Sequence, residues 1–181
     1  MSEPINISLP PSVDDFDLAV DTGWEYLRSY ENLNRIFYTA SAMGDFSVIW
    51  HMLNLARRIN NPGRKGSILE LSLLLGAESL LVNQGLKRLF RRSRPDMGSR
   101  THPHKIRKPQ TSSFPSGHAS SAVLAASILS EGSKMGVAYK VLAALVATSR
   151  IHVRAHHASD VLAGAVVGMI FTKLLKSRVK D

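Results

Sequence analysis

The 181-residue sequence predicts an all-α fold. Its apolar residues gather into Leu-, Ala- and Val-rich blocks divided by short polar stretches that carry Gly or Pro. No alternation of polar and apolar residues runs long enough to argue for a sheet, and no internal repeat is visible. The length suits one compact domain, and 44% hydrophobic residues exclude wholesale disorder. The lack of cysteine excludes a disulfide scaffold, a thiol nucleophile and thiolate-bound zinc or iron–sulfur sites.

Residues 1–35 form an acidic arm. They hold Glu3, Asp14, Asp15, Asp17, Asp21, Glu25 and Glu31 against Arg28 and Arg35, so the net charge of +9 resides entirely beyond them. Such a basic excess predicts an anionic partner: nucleic acid, a phosphorylated substrate or an acidic membrane face. Phe16, Leu18, Ala19, Trp24, Leu27 and Tyr30 recur at three- and four-residue steps, which predicts an amphipathic helix lying on a surface as an interfacial anchor. The first ten residues show no charged segment followed by an apolar one, so no secretory signal is expected.

The following blocks are apolar. Residues 36–56 are interrupted by Asp45, and Asn60-Asn61-Pro62-Gly63 is a strong turn. Residues 67–86 are Leu-rich but contain Glu70, Glu78, Asn83 and Gln84, whereas 96–112 are basic and contain Pro103 and Pro109, as a loop would. Blocks 119–129 and 137–148 are separated by Glu131-Gly132-Ser133-Lys134. In block 161–175, Gly164 and Gly168 have the spacing that lets two helices approach closely. No block reaches the roughly 18 charge-free apolar residues of an unambiguous membrane span. A soluble bundle and a membrane bundle with its polar residues turned inward both fit.

Three segments at the edges of these blocks carry chemistry. Lys87-Arg88-Leu89-Phe90-Arg91-Arg92-Ser93-Arg94-Pro95 places Lys87 and Arg94 on nearly one face of a helix, which Pro95 would end. Two cations at a helix C-terminus can clamp a phosphate; alone, the run also fits a solvated or lipid-facing basic stretch, or a nucleic-acid patch. In Ser113-Phe114-Pro115-Ser116-Gly117-His118, Ser116 suits an N-cap and Gly117 lets an anion approach the free N–H groups of a starting helix. His118 would lie beside that anion, placed to give or take a proton. In the run 149–160, His156 and Asp160 are four apart and would share a helix face, an arrangement that frees one imidazole nitrogen as a nucleophile. Arg150 adds a planar donor fork suited to phosphate. His152, His156 and His157 could instead bind a metal.

Taken together, the segments resemble the type 2 phosphatidic acid phosphatase superfamily, whose pattern is K-x6-RP, then PSGH, then SR-x5-H-x3-D. Lys87 with Arg94-Pro95, Pro115-Ser116-Gly117-His118, and Ser149-Arg150 with His156 and Asp160 match it in order, spacing and identity. Arg154 stands where the family commonly has Gly, and His157 where it often has an aromatic residue. The resemblance covers about residues 67–175 and implies a phosphatase that needs no cofactor or metal and works through a phosphohistidine. It implies His156 as nucleophile, Asp160 as its orienting partner and His118 as general acid. Lys87, Arg94, Ser116, Gly117 and Arg150 would hold the phosphoryl oxygens.

The motifs all fall at helix ends, so an up-and-down path brings them to one side. This favours a compact membrane helical bundle of about five spans, residues 36–178, with the N-terminal amphipathic arm 1–35 at its interface. Glu70 and Glu78 would then point inward, pairing with Arg or Lys. Lys and Arg are balanced between the two sides, so the acidic arm places the site on the cytoplasmic side of a bacterial cell membrane. The expected activity is a lipid phosphatase acting on a lipid phosphate or diphosphate, of polyprenyl or phosphatidate type. A soluble acid phosphatase or vanadate-dependent haloperoxidase of the same superfamily is the alternative. No nucleic-acid partner is expected, since a basic nucleic-acid module leaves His118, His156 and Asp160 without a role.

Overall fold

The computed structural model describes residues 5–6, 10–60, 68–96, 104 and 111–178. Helix α1 spans Pro11–Arg28, with proline at its N-terminal end, where no intrahelical N–H bond is lost. Helix α2 (Glu31–Gly44) continues without a break across residue 35. A 3₁₀ turn, Asp45–Ser47, follows, in which Phe46 (φ 53°) and Ser47 (φ 59°) adopt left-handed backbone. Those two residues end the helix, so the apolar block 36–56 is two elements, and α3 is Val48–Asn60. The expected turn at 60–63, beyond Asn60 itself, and most of the basic stretch 96–112 lie outside the described residues.

Helix α4 (Ile68–Leu80) runs through a π-helical stretch, Leu81–Leu86, into the single turn α5 (Lys87–Leu89). The chain is then extended: β2 (Phe90–Arg91) pairs in parallel with β1 (Ile5–Asn6), two residues from each. Three further helices follow among the described residues: α6 (Gly117–Ser130), α7 (Gly136–His152) and α8 (Ala158–Arg178). The fold is all-α, as the block pattern predicts.

Helix α6 is the centre. Ala119, Ser120, Ser121, Ala122, Leu124, Ala125, Ala126 and Leu129 bury it on nearly every side, as an all-round apolar composition requires. Trp50 of α3, Leu71 and Leu75 of α4 and Val146 of α7 pack around it. Helix α8 approaches more closely still. A Cβ at Gly164 would lie 2.3 Å from the Ser116 carbonyl oxygen, and one at Gly168 2.5 Å from that of Ser120. The small-residue spacing therefore does what it predicts, letting two backbones touch.

The two ends of the bundle differ. At one, Arg57 of α3 donates to the Glu131 carbonyl beyond α6 at 2.6 Å. At the other, the Gly44–Asp45 junction meets His118 at the start of α6. Glu78 is buried at 1% exposure, with Lys87 among the charges acting on it. Glu70 is a correction: it lies exposed on the first turn of α4, because the apolar face of that helix passes through Leu71 and Leu75.

The Gly164 contact makes a sharp prediction. Gly164→Ala is expected to destabilise the protein by about 1–3 kcal/mol through overpacking against backbone. Gly76→Ala, where nothing lies within 4 Å of the new methyl, is expected to leave the thermal midpoint unchanged or slightly raised. Thermal unfolding of both variants in a mild detergent checks this.

Candidate active site

Backbone bonds assemble the site before any side chain does. Ser116 caps α6, with extended backbone (φ −74°, ψ 113°) and its hydroxyl accepting from the Ala119 amide at 3.4 Å. The Ser116 amide donates to the Asp160 carbonyl oxygen at 3.0 Å, tying the start of α6 to the start of α8. At the end of α7, the Arg150 carbonyl accepts from both Ala155 (3.0 Å) and His156 (3.1 Å). That tight reversal needs a left-handed residue, and Arg154 supplies it at φ 50°. The commoner Gly at that position would adopt the same conformation at lower cost.

Asp160 is locked by its place in α8. As the third residue of the helix it accepts from the His157 amide at 2.9 Å, which is the reciprocal half of a capping box. The same oxygen, Oδ2, accepts from the Ser113 hydroxyl and faces His156 Nδ1 at 3.7 Å. The other, Oδ1, accepts from Arg92 Nη1 at 2.7 Å. His156 and Asp160 are thus neighbours, but not through a shared helix face as their spacing predicts. His156 precedes α8, and the cap brings the carboxylate back to it.

The expected shared face for Lys87 and Arg94 is likewise corrected. The helix ends at Leu89, because Phe90–Arg91 is drawn into extended pairing, and Arg94 reaches the site from irregular chain. Arg94 donates to the carbonyls of Ala155, Thr111 (3.0 Å) and Ser112 (3.3 Å), and its Nη1 lies 3.3 Å from His156 Nε2. Arg150 is only 2% exposed. Its Nη1 donates to the Ser41 hydroxyl, while Nε and Nη2 have no hydrogen-bond partner among the described residues. Buried guanidinium donors of this kind are costly unless an anion meets them.

His156 is buried at 2% exposure. Burial pushes its pKa down to about 3; the Asp160 carboxylate opposes this, and Arg150, Arg94 and Lys87 reinforce it. The ring is neutral at pH 7. On the opposite flank, His118 Nε2 lies 3.0 Å from Asp45 Oδ1. Arg150 and Lys87 lie near enough for their charges to act on both rings, which puts the two histidines at the same end of the bundle. Gly44 permits this: a Cβ there would sit 2.7 Å from His118 Cδ2 and 2.9 Å from Val146 Cγ1. All eight residues anticipated for the site therefore converge at one end of the bundle.

His152 does not belong to it. Its Nδ1 accepts from Trp24 Nε1 at 3.1 Å and its Nε2 lies 2.8 Å from Asn34 Oδ1, so both nitrogens are used and the metal-binding alternative for His152, His156 and His157 loses a ligand. Asp45, Ser113, Arg92 and Asp17 are the site neighbours that motif reasoning missed. The one available signal was at Asp45, a lone carboxylate within an apolar block.

The chain is similar to known proteins in sequence and in fold. The sequence profile of the PAP2 superfamily matches residues 67–181. Over 134 residues the chain is 32% identical to the decaprenylphosphoryl-5-phosphoribose phosphatases of Mycobacterium tuberculosis strains CDC 1551 / Oshkosh and ATCC 25618 / H37Rv, covering 71% of this chain and 70% of theirs. Its fold superposes on the crystal structure of a transmembrane PAP2-type phosphatidylglycerolphosphate phosphatase from Bacillus subtilis. The TM-score is 0.71 at 25% identity, over 94% of this chain and 88% of the other.

The depressed pKa of His156 has a thermodynamic consequence. Above the ordinary value of 6.5, folded and unfolded chains both carry the neutral ring. As pH falls from 6.5 toward 3 only the unfolded chain takes up this proton, so stability drops by up to about 1.4 kcal/mol per pH unit. Thermal midpoints measured between pH 7 and pH 4 are expected to fall more steeply for wild type than for His156→Gln. Parallel curves would refute the assignment.

Proposed function

Starting from the chain's membership of the PAP2 superfamily, and hence from a phosphatase, we propose that it hydrolyses the phosphate or diphosphate of a membrane lipid, of polyprenyl or phosphatidate type, through a phosphohistidine on His156. The observation that carries this reading is the pairing of a buried neutral imidazole with buried, incompletely bonded cations. His156 supplies the lone pair, and Arg150 offers two donor nitrogens with no partner among the described residues. Lys87, Arg94, Arg150, Ser116 and the Gly117 amide hold the phosphoryl oxygens, taking the electrostatic part that phosphoryl transfer demands of a protein.

In the first step His156 Nε2 forms the bond to phosphorus as the bond to the leaving oxygen breaks, and His118 passes a proton to that oxygen. Asp160 stabilises the positive charge that develops on the His156 ring. Water then attacks the phosphohistidine, giving its proton to His118 as the P–N bond breaks and His156 returns neutral. Asp45 orients His118 and serves as counter-charge while that ring is protonated. The fixed cations take the place that a metal ion has in other phosphoryl transfers, so the reading includes no metal and no cofactor.

Membrane placement of the domain 36–178 is supported by the transmembrane neighbour and by its exposed apolar residues. Met52 and Ile59 of α3, Leu69 and Leu73 of α4, Val137 and Val141 of α7, and Leu162, Met169 and Leu174 of α8 are all more than half exposed. Helix α8 contains an 18-residue window, Ala158–Leu175, of mean hydropathy 1.6, which meets the length and composition of a span. We place five crossings at α3, α4–α5, α6, α7 and α8. The arm 1–35 then lies at the interface beside the site, with Phe16, Leu18 and Tyr26 turned outward, on the face proposed to be cytoplasmic.

Phosphate release from phosphatidate, phosphatidylglycerol phosphate, a polyprenyl phosphate and a polyprenyl diphosphate, each in detergent with EDTA, tests the reading. Activity is expected to persist in EDTA and to fall by about 10³-fold or more in His156→Ala. Loss of activity to the chelator would remove the metal-free mechanism, and an active mutant would remove the nucleophile. Gly44→Ala, whose methyl displaces His118, is expected to lower kcat about tenfold or more, read in the same assay.

A further inference from the structure

We infer that Asp17 and Arg92 are positioning residues for the His156–Asp160 pair, so that the N-terminal helix completes the site from behind. The inference rests on the roles proposed above for His156 and Asp160.

Asp17 is the buried residue of α1, at 5% exposure. A carboxylate held out of water needs strong partners, and it has three bonds. Its Oδ1 accepts from the Ser159 amide at 2.8 Å, and its Oδ2 accepts from the Ser159 hydroxyl at 2.6 Å and from Arg92 Nη2 at 2.7 Å. Ser159 is the second residue of α8, so α1 supplies an anionic cap to the helix that carries Asp160. The Arg92 guanidinium stands between the two acids. Its Nη1 donates to Asp160 Oδ1 and to the Ser159 hydroxyl, both at 2.7 Å, while Nη2 holds Asp17 and lies 3.4 Å from the exposed Asp14.

This arrangement governs what Asp160 can do for His156. One carboxylate oxygen is anchored on Arg92, which sets the plane in which the other faces the imidazole at 3.7 Å. The anchor alone has a cost, because a lone guanidinium on Asp160 would neutralise the counter-charge that His156 needs as its ring becomes positive. Asp17 returns that negative charge from the far side of Arg92. Among the described residues neither is bonded to Lys87, Arg94 or Arg150, so both act on turnover rather than on capture of the phosphate. The rest of the arm holds the contact in register. Arg28 donates to the Ile151 (2.8 Å) and His152 (2.9 Å) carbonyls, and Arg154 meets Asp21 and Glu25.

The test uses the full chain and whichever of the four lipids above wild type turns over fastest. Asp17→Asn is expected to lower kcat about tenfold or more while KM stays within about twofold, the signature of lost transition-state stabilisation. Asp17→Glu recovers most of kcat, and the exposed neighbour Asp15→Asn matches wild type. Arg92→Lys keeps the charge but lacks the planar fork whose two ends hold Asp160 and Asp17 apart, and also lowers kcat; it provides a second reading should Asp17→Asn fail to fold. Wild-type kcat in the folded Asp17 and Arg92 variants overturns the inference, as does a kcat loss that scales only with the unfolded fraction. An active His156→Ala instead overturns the underlying mechanism, whereas an inactive one beside a fully active Asp17→Asn removes this inference alone.

Discussion

Holding several positive charges beneath the surface of a helical bundle is the constraint on which everything else here depends. Arg150 and Lys87 are 2% and 8% exposed, and Arg94 lies beside them. Desolvation and mutual repulsion both oppose that cluster. The protein offsets it only in part. Arg94 is bound by backbone carbonyls, Arg150 by a serine hydroxyl through one of its nitrogens, and Lys87 feels Glu78 and Asp160 at a distance. Under the proposed mechanism, the uncompensated remainder serves as a fixed field, already oriented, for the equatorial oxygens of a phosphoryl group. A site built this way needs little reorganisation at the moment of reaction.

The same charge explains the acidic arm. The α7–α8 loop that carries His156 turns through the left-handed Arg154 and presents that guanidinium, beside the last carbonyls of α7, to helix α1. Helix α1 covers it with matching groups: Asp17 for Arg92 and Ser159, Asp21 and Glu25 for Arg154, Arg28 for the last carbonyls of α7, and Trp24 for His152. Most of these bonds are charge-assisted and partly buried, the class that holds geometry best. The helix that periodicity assigns to a surface therefore has a second face, polar and committed to the protein.

Much of the site was legible because its chemistry is local. Ser116 caps the helix it precedes, Gly164 and Gly168 clear a path for a neighbouring backbone, and the motifs fall at the ends of apolar blocks. Where helical spacing was used to infer a shared face, it misled. Arg94 lies beyond the end of the helix that carries Lys87, and Asp160 meets His156 through a cap. Spacing reports proximity on a continuing helix and is silent on where the helix stops.

By itself the sequence determined the all-α class, the helix-end location of the motifs and the eight residues, seven polar and one glycine, that gather at one end. Those properties reside in composition, in helix-cap chemistry and in residue identity at short range. Tertiary structure alone decided that Asp45 faces His118, that Gly44 admits the ring, that His152 is a satisfied core residue and that Asp17 reaches Asp160 through Arg92. Each of these contacts joins segments tens of residues apart. No periodicity links such positions; only the packing of helices around α6 brings them within hydrogen-bond range.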